Sequence, residues 1–191
     1  TSDKIIISAT KGISINGERM CEVINSYLTK SSINNIGALS GPNLALEISE
    51  GKPTVTTIAF KDINLSNKFR DSFSSDSFRI YSGTDVIGTE LGGALKNIIA
   101  IGAGIIDGLK LGTNAKSAFV TRGLHEITKL GVKLGAEKST FAGLSGMGDL
   151  ITSCFGNSSR NWKLGVALSQ GSSVKEFLNK SKITLEGIQT T

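Results

Sequence analysis

The hydrophobic pattern of this chain changes once, near Asp85, and that change limits the folds that the chain can adopt. Before Asp85, short apolar and β-branched runs alternate with stretches of helical periodicity. The strand candidates are residues 5–9, 35–39, 54–59 and 78–81, and the helix candidates are residues 20–28, 45–50 and 65–73. Because such alternation is typical of a layered sheet with helices, we predict an α/β region over residues 1–85.

The remainder of the chain has long apolar stretches with helical periodicity, separated by glycine-rich breaks, and no convincing strand. The helix candidates here are residues 86–109, 114–134, 160–168 and 174–180. The first of them, at about 24 residues, would be roughly 36 Å long and could join the two halves of a cleft. We therefore predict an all-helical domain over residues 86–191.

Composition excludes several classes of protein. With 39% hydrophobic and 19% charged residues, the chain can bury a core and does not resemble a disordered segment. The net charge of +5 is spread along the sequence, so nucleic acid is not an expected partner, whereas a small anionic substrate is compatible with it. Glu90 and Lys96 interrupt the most apolar stretch and leave, with Asn97 set aside, an uncharged run of only nine residues. We expect no stable membrane insertion, because a spanning helix needs about 20 apolar residues.

Cysteine and histidine give no pattern for a metal site. Cys21 and Cys154 lie far apart without a CxxC spacing, and the only histidine, His125, has charged neighbours on a helix candidate. We therefore expect no metal, two free thiols in a reducing compartment, and His125 at the surface.

Lys96 is the most informative single residue of the long helix candidate. Thr89, Gly92, Ala100 and Ala103 share its helical stripe, so every neighbour of Lys96 on that stripe is small. Such a lysine either snorkels to solvent or a salt-bridge partner, or projects into a cavity with room for a ligand. The glycines have a structural interpretation as well, since they let a second helix pack closely.

Two later segments could cooperate with Lys96. Residues 143–150 contain three glycines followed by Asp149, which either orients a cation such as Lys96 or lies in a solvated turn. Residues 156–161 open a helix with serines at cap positions and Arg160 in the first turn. Capping explains the serines, but an arginine at a helix N-terminus opposes the helix dipole unless an anion lies between them.

Lys11 follows the first strand candidate directly. Open α/β sheets bind ligands at the carboxyl ends of their strands, so Lys11 is either a ligand-binding residue or a surface lysine in a turn. The GxGxxG fingerprint of dinucleotide-binding domains does not occur in the sequence.

Five segments, in order along the chain, resemble those of the NAD(P)-dependent glycerol-3-phosphate dehydrogenases of the bacterial and plastid type. They are residues 8–12 (SATKG), 40–45 (SGPNLA), 90–97 (ELGGALKN), 143–150 (GLSGMGDL) and 159–161 (SRN). The resemblance implies the second half of a Rossmann-like domain over residues 1–85, a helical substrate domain over residues 86–191, and NAD or NADP as cofactor. It implies reversible hydride transfer between NAD(P)H and dihydroxyacetone phosphate, which gives sn-glycerol 3-phosphate for glycerophospholipid synthesis.

The resemblance also implies roles for individual residues. Lys96 matches the family's proton donor and acceptor, and Lys11 and Asp149 match the other expected catalytic residues. The expected substrate-binding residues are Lys11, Gly41, Asn43, Ser153, Ser159, Arg160 and Asn161. The expected cofactor-binding residues are Lys11, Ala45, Arg160 and Glu186. The sequence departs from the family pattern at Asn43, Met147 and Ser153, where a hydroxyl residue, leucine and threonine are usual.

The resemblance places further segments outside this chain. The family's first βαβ units, with their glycine-rich pyrophosphate loop, would precede Thr1, and further helices would follow Thr191. We therefore expect the chain by itself to be inactive and to bind the dinucleotide weakly or not at all.

Two other interpretations remain open. A hydroxyacid dehydrogenase or a ketopantoate reductase shares the same domain plan but would act on a ketoacid without phosphate. A phosphometabolite-binding protein without activity would need neither Lys96 nor Asp149. For the dehydrogenase we expect a small phosphorylated substrate and a location in the cytoplasm or the plastid stroma, with a homodimer left open as the assembly.

Overall fold

The computed structural model describes residues 4–28, 33–181 and 186–190. Its strands are β1 (Ile6–Ser8), β2 (Ile36–Ser40), β3 (Thr54–Ala59) and β4 (Phe78–Gly83). Its helices are α1 (Met20–Ser26), α2 (Ala45–Ser49), α3 (Ile63–Phe73), α4 (Val86–Gly108), α5 (Gly112–Lys133), α6 (Lys138–Phe141), α7 (Asp149–Phe155), α8 (Arg160–Ser169), α9 (Val174–Ser181) and α10 (Glu186–Thr190). The predicted order of the two regions, an α/β region followed by helices, is confirmed.

The four strands form one mixed sheet in the order β1-β2-β3-β4. β1 is parallel to β2 and β3 is parallel to β4, whereas β2 and β3 are antiparallel. The parallel pairs follow from helical crossovers, because α1 lies between β1 and β2 and α3 lies between β3 and β4. The parallel pairing directs the carboxyl ends of β1 and β2 to the same edge.

The α/β region is held by an apolar cluster under the second crossover. Ile58, Phe60 and Ile80 are fully buried, and Phe69 of α3 stacks on Phe60 with ring centroids 5.3 Å apart. Asp62 fixes the start of α3, because its side chain accepts a hydrogen bond from the backbone N–H of Asn64.

Helix α4 runs through the centre of the helical region. By length and composition it could cross a membrane, but most of its first half is buried against other elements of this chain. Its tightest contact is with α8, where a Cβ atom on Gly104 would overlap the Trp162 carbonyl and one on Gly165 would overlap the Ile101 carbonyl. The glycines of this pair therefore set the close approach of the two helices.

Residues 138–155 are more helical than the sequence predicts. None of the helix candidates falls between residues 134 and 160, whereas the structure has α6, a π-helical turn at Leu144–Gly148, and α7. Gly146 lies against the backbone of Phe141, a contact that any Cβ atom would prevent. The glycines that favour a loop in the sequence thus serve a compact helical turn that leads directly into Asp149.

Candidate active site

A cavity of about 410 Å³ lies where the carboxyl ends of β1 and β2 meet α4, α7 and α8. Lys11 lines it from the segment after β1, and Asn43 lines it from the segment after β2. Lys96 enters from α4, Asp149 and Ser153 enter from α7, and residues 158–161 close the side formed by α8. This is the edge at which open α/β sheets bind their ligands.

Small residues around Lys96 let other elements reach it. A Cβ atom on Gly92 would overlap the carbonyl of Ser145 in the π-helical turn, and one on Gly93 would crowd the hydroxyl of Ser40 at the end of β2. The glycines therefore have the packing role that the sequence also allows. Their effect is to bring α7 and the sheet edge to the Lys96 side chain.

Asp149 joins the two lysines that the sequence singles out. Its Oδ1 accepts a hydrogen bond from Lys96 Nζ at 2.9 Å, and its Oδ2 accepts one from Lys11 Nζ at 2.7 Å. Lys96 Nζ also donates to Ser153 Oγ at 2.5 Å, and Lys11 Nζ donates to the carbonyl of Gly41 at 2.7 Å. The four side chains of Lys11, Lys96, Asp149 and Ser153, which we call the lysine–aspartate cluster, come from three separate parts of the chain.

The lysine–aspartate cluster is desolvated and carries net positive charge. Asp149 is 2% exposed, so it does not lie in a solvated turn, and Lys96 is 8% exposed. Two ammonium groups share one carboxylate, which leaves a charge of +1 facing the cavity. An ammonium has three N–H donors. Within the described part of the chain, two donors of Lys96 are paired, one with Asp149 and one with Ser153. One donor of Lys96 thus remains for an oxygen atom of a ligand.

The opposite side of the cavity is the first turn of α8. Ser159 is its N-cap, and its hydroxyl accepts a hydrogen bond from the backbone N–H of Trp162 at 3.3 Å. Arg160 is exposed and lines the cavity, while Asn161 is buried. A helix N-terminus, a hydroxyl and a guanidinium on one side of a cavity are the groups that bind phosphate in proteins.

Asn97 connects the two sides of the cavity, and sequence reasoning did not assign it to the site. Its Nδ2 donates to the backbone carbonyl of Lys11 at 3.0 Å, and its Oδ1 accepts from Nδ2 of Asn161 at 2.9 Å. A polar residue next to Lys96 in an apolar helix was the available signal. Asn161 Oδ1 is buried, lies against Gly187 of α10 and has no hydrogen-bond partner among the residues that the structure describes.

Gly41 and Asn43 shape the sheet side of the cavity. Gly41 presents its carbonyl to Lys11, and a Cβ atom on Gly41 would come within 2.9 Å of the Thr56 Cα. The Asn43 amide bridges to β3, because Nδ2 donates to the Val55 carbonyl at 3.3 Å and Oδ1 accepts from Thr56 Oγ1 at 3.0 Å. Asn43 therefore holds its own loop in place beside the cavity.

A wider groove of about 1080 Å³ adjoins the cavity and shares Asn43 and Arg160 with it. Ala45 lines this groove and does not line the cavity itself. Glu186 begins α10, and its side chain lies outside the described residues. Of the residues expected to contact the cofactor, Lys11 and Arg160 line the cavity and Ala45 lies next to it.

Cys21, Cys154 and His125 do not line the cavity. Burial raises the pKa of Cys154 to about 12, and burial together with the Glu90 carboxylate raises the pKa of Cys21 well above its usual range. His125 is exposed, as predicted. No group of three or more histidine, cysteine, aspartate or glutamate side chains that could hold a metal occurs among residues 4–28, 33–181 and 186–190.

Known proteins similar to this chain are glycerol-3-phosphate dehydrogenases. The glycerol-3-phosphate dehydrogenase [NAD(P)+] of Dehalococcoides mccartyi is 47% identical over 192 residues, which cover 100% of this chain and 54% of that protein. The corresponding protein of Citrifermentans bemidjiense is 44% identical, over 99% of this chain and 57% of that protein. This chain thus spans little more than half the length of these relatives.

Solved structures show the same likeness. The crystal structure of glycerol-3-phosphate dehydrogenase from Coxiella burnetii superposes with a TM-score of 0.93 at 36% identity, over 100% of this chain and 57% of that one. The Saccharomyces cerevisiae enzyme gives a TM-score of 0.84 at 28% identity, over 98% of this chain and 57% of that one. The family model for the N-terminus of NAD-dependent glycerol-3-phosphate dehydrogenase matches residues 1–66, and the model for its C-terminus matches residues 85–191. The chain therefore belongs to the NAD-dependent glycerol-3-phosphate dehydrogenase family.

Proposed function

We propose that this chain forms the substrate-binding and proton-transfer part of an NAD(P)-dependent glycerol-3-phosphate dehydrogenase. The reaction is reversible reduction of dihydroxyacetone phosphate to sn-glycerol 3-phosphate. The observation that carries the proposal is the pairing of Lys96 and Lys11 with Asp149 on one side of a cavity that has Arg160 on its other side. This arrangement offers a proton donor for a ketone oxygen and a cation for a phosphate in a single small space.

Lys96 is the proposed general acid. Reduction of a ketone leaves negative charge on its oxygen, so a positioned ammonium both stabilises that charge and supplies the proton. In the oxidation direction the same nitrogen takes the proton of the alcohol. Asp149 and Ser153 hold the Lys96 Nζ atom in one place, which keeps its remaining donor aimed consistently.

Lys11 is the proposed second cation at the reacting end. It occupies Oδ2 of Asp149, and this sharing prevents the carboxylate from neutralising Lys96 alone. The positive charge that results favours an oxyanion over a neutral ketone. We therefore expect the lysine–aspartate cluster to stabilise the transition state more than the bound ketone.

The first turn of α8 is the proposed phosphate site. Ser159, Arg160 and Asn161 come together at a helix N-terminus, where the dipole and the backbone N–H groups favour an anion. A phosphate there would also offset the repulsion between the Arg160 guanidinium and the positive end of the helix dipole. A ketoacid without phosphate would leave this end of the cavity unused, which favours the phosphorylated substrate.

The adjoining groove fits one end of a dinucleotide. Arg160, Lys52 and Lys163 line it together with Ala45, Glu47 and Glu50. Lys52 pairs with Glu50 at 2.7 Å, so Arg160 and Lys163 are the cations that the groove offers to a dinucleotide. We propose that Lys11, Ala45, Arg160 and Glu186 face NAD or NADP, which supplies the hydride when it is bound. We further propose residues 1–85 as the later part of the dinucleotide-binding domain and residues 86–191 as part of the substrate domain.

The cellular role follows from the proposed product. sn-Glycerol 3-phosphate is the backbone of glycerophospholipids, so we propose a place in their synthesis, in the cytoplasm or in a plastid stroma. The ion pair of Lys96 with Asp149 argues against a protein that only binds the metabolite, because binding a phosphate does not need a proton donor at the far end of the cavity.

Substrate selectivity tests the proposal. The full-length protein should oxidise NADH or NADPH with dihydroxyacetone phosphate, and it should use dihydroxyacetone and ketopantoate at least about 100-fold less efficiently, the scale of one lost charge-assisted pair. Absorbance of the reduced cofactor gives the rates. Faster reduction of ketopantoate than of dihydroxyacetone phosphate would contradict the proposal, and so would binding of the phosphate without turnover.

A further inference from the structure

A second polar cluster lies beside the first turn of α8, and its members do not line the cavity, although Trp162 lines the adjoining groove. Asp107, in the last turn of α4, accepts the indole N–H of Trp162 at 2.7 Å and the ammonium of Lys116 at 2.8 Å through the same oxygen, Oδ2. Lys116 belongs to α5, and its ammonium lies 4.7 Å above the ring of Phe155 in α7. Three helices therefore meet at Asp107, and α7 reaches the same cluster through Lys116.

The placement of Asp107 is unfavourable for its own helix. An aspartate in the last turn of a helix opposes the helix dipole, and Asp107 lies in the last turn of α4. Lys116 is the fifth residue of α5 and lies beyond its first turn, where the dipole has little effect. Local helix stability therefore does not account for Asp107, and the bond to Trp162 gives the carboxylate a different role.

Trp162 lies in the turn that carries the proposed phosphate site. Its backbone N–H donates to the hydroxyl of Ser159, while its indole N–H donates to Asp107. On the other side of the same turn, Asn161 is held by Asn97. The two residues that follow Arg160 are thus each tied to α4 by a side-chain hydrogen bond.

We infer that Asp107 and Trp162 form an anchor that positions Arg160 for the phosphate of the substrate. The inference rests on the proposed function and adds two positioning residues to it. A guanidinium binds phosphate through directed hydrogen bonds, so a small rotation of the first turn of α8 would misalign it. The lysine–aspartate cluster at the reacting end is fixed by its own hydrogen bonds, and none of those bonds involves Asp107 or Trp162.

The main test is Trp162→Phe in the full-length enzyme, which removes the donor and keeps an aromatic ring. We expect KM for dihydroxyacetone phosphate to rise about tenfold, the loss of one charge-assisted hydrogen bond, while kcat changes less than about threefold. The efficiency with phosphate-free dihydroxyacetone should stay within about twofold of wild type. An unchanged KM for the phosphorylated substrate, or equal losses for both substrates, would overturn the inference.

Asp107 supplies a second test that does not depend on the folding of the tryptophan variant. Asp107→Asn keeps an oxygen that can accept the indole N–H, so it should retain a KM within about threefold of wild type, whereas Asp107→Leu should behave like Trp162→Phe. Lys116→Met is the matched control, because it removes a partner of Asp107 without touching α8. It should lower the melting temperature and leave the KM unchanged. If KM instead rises as the melting temperature falls across all four variants, Asp107 and Trp162 have a merely structural role.

Binding of inorganic phosphate separates this inference from the proposed function. Calorimetric titration should give about tenfold weaker phosphate binding to Trp162→Phe than to wild type, whatever ketone the enzyme reduces. A wild-type enzyme that does not reduce dihydroxyacetone phosphate would contradict the proposed function. Equal phosphate affinities of the two proteins would overturn the anchor alone.

Discussion

The two ends of the cavity are built in opposite ways. At the reacting end, Lys11, Lys96 and Asp149 come from distant parts of the sequence, and the side chain of Asp149 is only 3% exposed. At the phosphate end, Ser159, Arg160 and Asn161 are consecutive, and Arg160 is exposed. The buried end is fixed before a ligand arrives, whereas the exposed end depends on how one helical turn is held.

This difference predicts how substitutions will divide between kinetic parameters. A desolvated ion pair acts strongly on charge that develops in the transition state, so changes at the reacting end should lower kcat. An exposed guanidinium acts on a phosphate that is charged throughout the reaction. Changes at the phosphate end should therefore raise KM and leave kcat almost unaffected.

The largest effect on folding is expected at Asp149. Asp149→Leu leaves two ammonium groups in a desolvated site without their carboxylate, so we expect the free energy of unfolding of the full-length protein to fall by about 3 to 5 kcal/mol. Urea denaturation measures it. Asp149→Asn keeps the volume of the side chain and one acceptor oxygen, so it should lower the free energy of unfolding by less. A loss below about 1 kcal/mol for Asp149→Leu would show that the reacting end is open to solvent.

Arg160→Ala tests the exposed end. We expect binding of dihydroxyacetone phosphate to weaken by about 2 to 4 kcal/mol, while the phosphate-free ketone loses much less, because only the phosphorylated substrate has a partner for the guanidinium. Steady-state kinetics with both substrates measure the two losses. Arg122→Ala, at an exposed arginine that lines neither the cavity nor the groove, serves as the control. Equal losses for the two substrates would assign Arg160 to the fold or to the cofactor.

The smallest effects are expected from two buried serines. Within residues 4–28, 33–181 and 186–190, the buried hydroxyl of Ser40 has no hydrogen-bond partner, whereas that of Ser153 accepts a hydrogen bond from Lys96. Ser40→Ala should therefore be neutral or raise the free energy of unfolding by up to about 1 kcal/mol, and Ser153→Ala should lower it by about 1 kcal/mol and reduce kcat. Thermal denaturation and initial rates compare the pair. A larger loss of kcat for Ser40→Ala than for Ser153→Ala would place Ser40 among the reacting groups.

Local pattern was sufficient for part of the structure. The limits of β3 follow from its run of β-branched residues, and Lys96 stands out because small residues surround it on one stripe of an apolar helix. The cap at Ser159 follows equally from residue types at adjacent positions. These features depend on neighbours in the sequence, so the sequence displays them directly.

Features that depend on distant partners could not be predicted in the same way. The π-helical turn before Asp149 looks like a glycine loop, because the contact that makes it compact is with the backbone of Phe141. The bond of Asn97 to Asn161 and that of Trp162 to Asp107 join residues more than 50 positions apart. Residue type alone does not say which polar groups will meet across two packed helices.

The central claim is that Lys96 transfers the proton, and Lys96→Met in the full-length enzyme tests it most directly, because methionine keeps the length of the side chain and removes the charge. Rapid-mixing measurements with saturating cofactor and dihydroxyacetone phosphate should show kcat lowered by at least about 10³-fold, with both affinities changed by less than about tenfold. Circular dichroism should show that the variant is folded. A folded Lys96→Met enzyme that keeps more than about a tenth of the wild-type kcat would contradict the assignment and make Lys11 the next candidate.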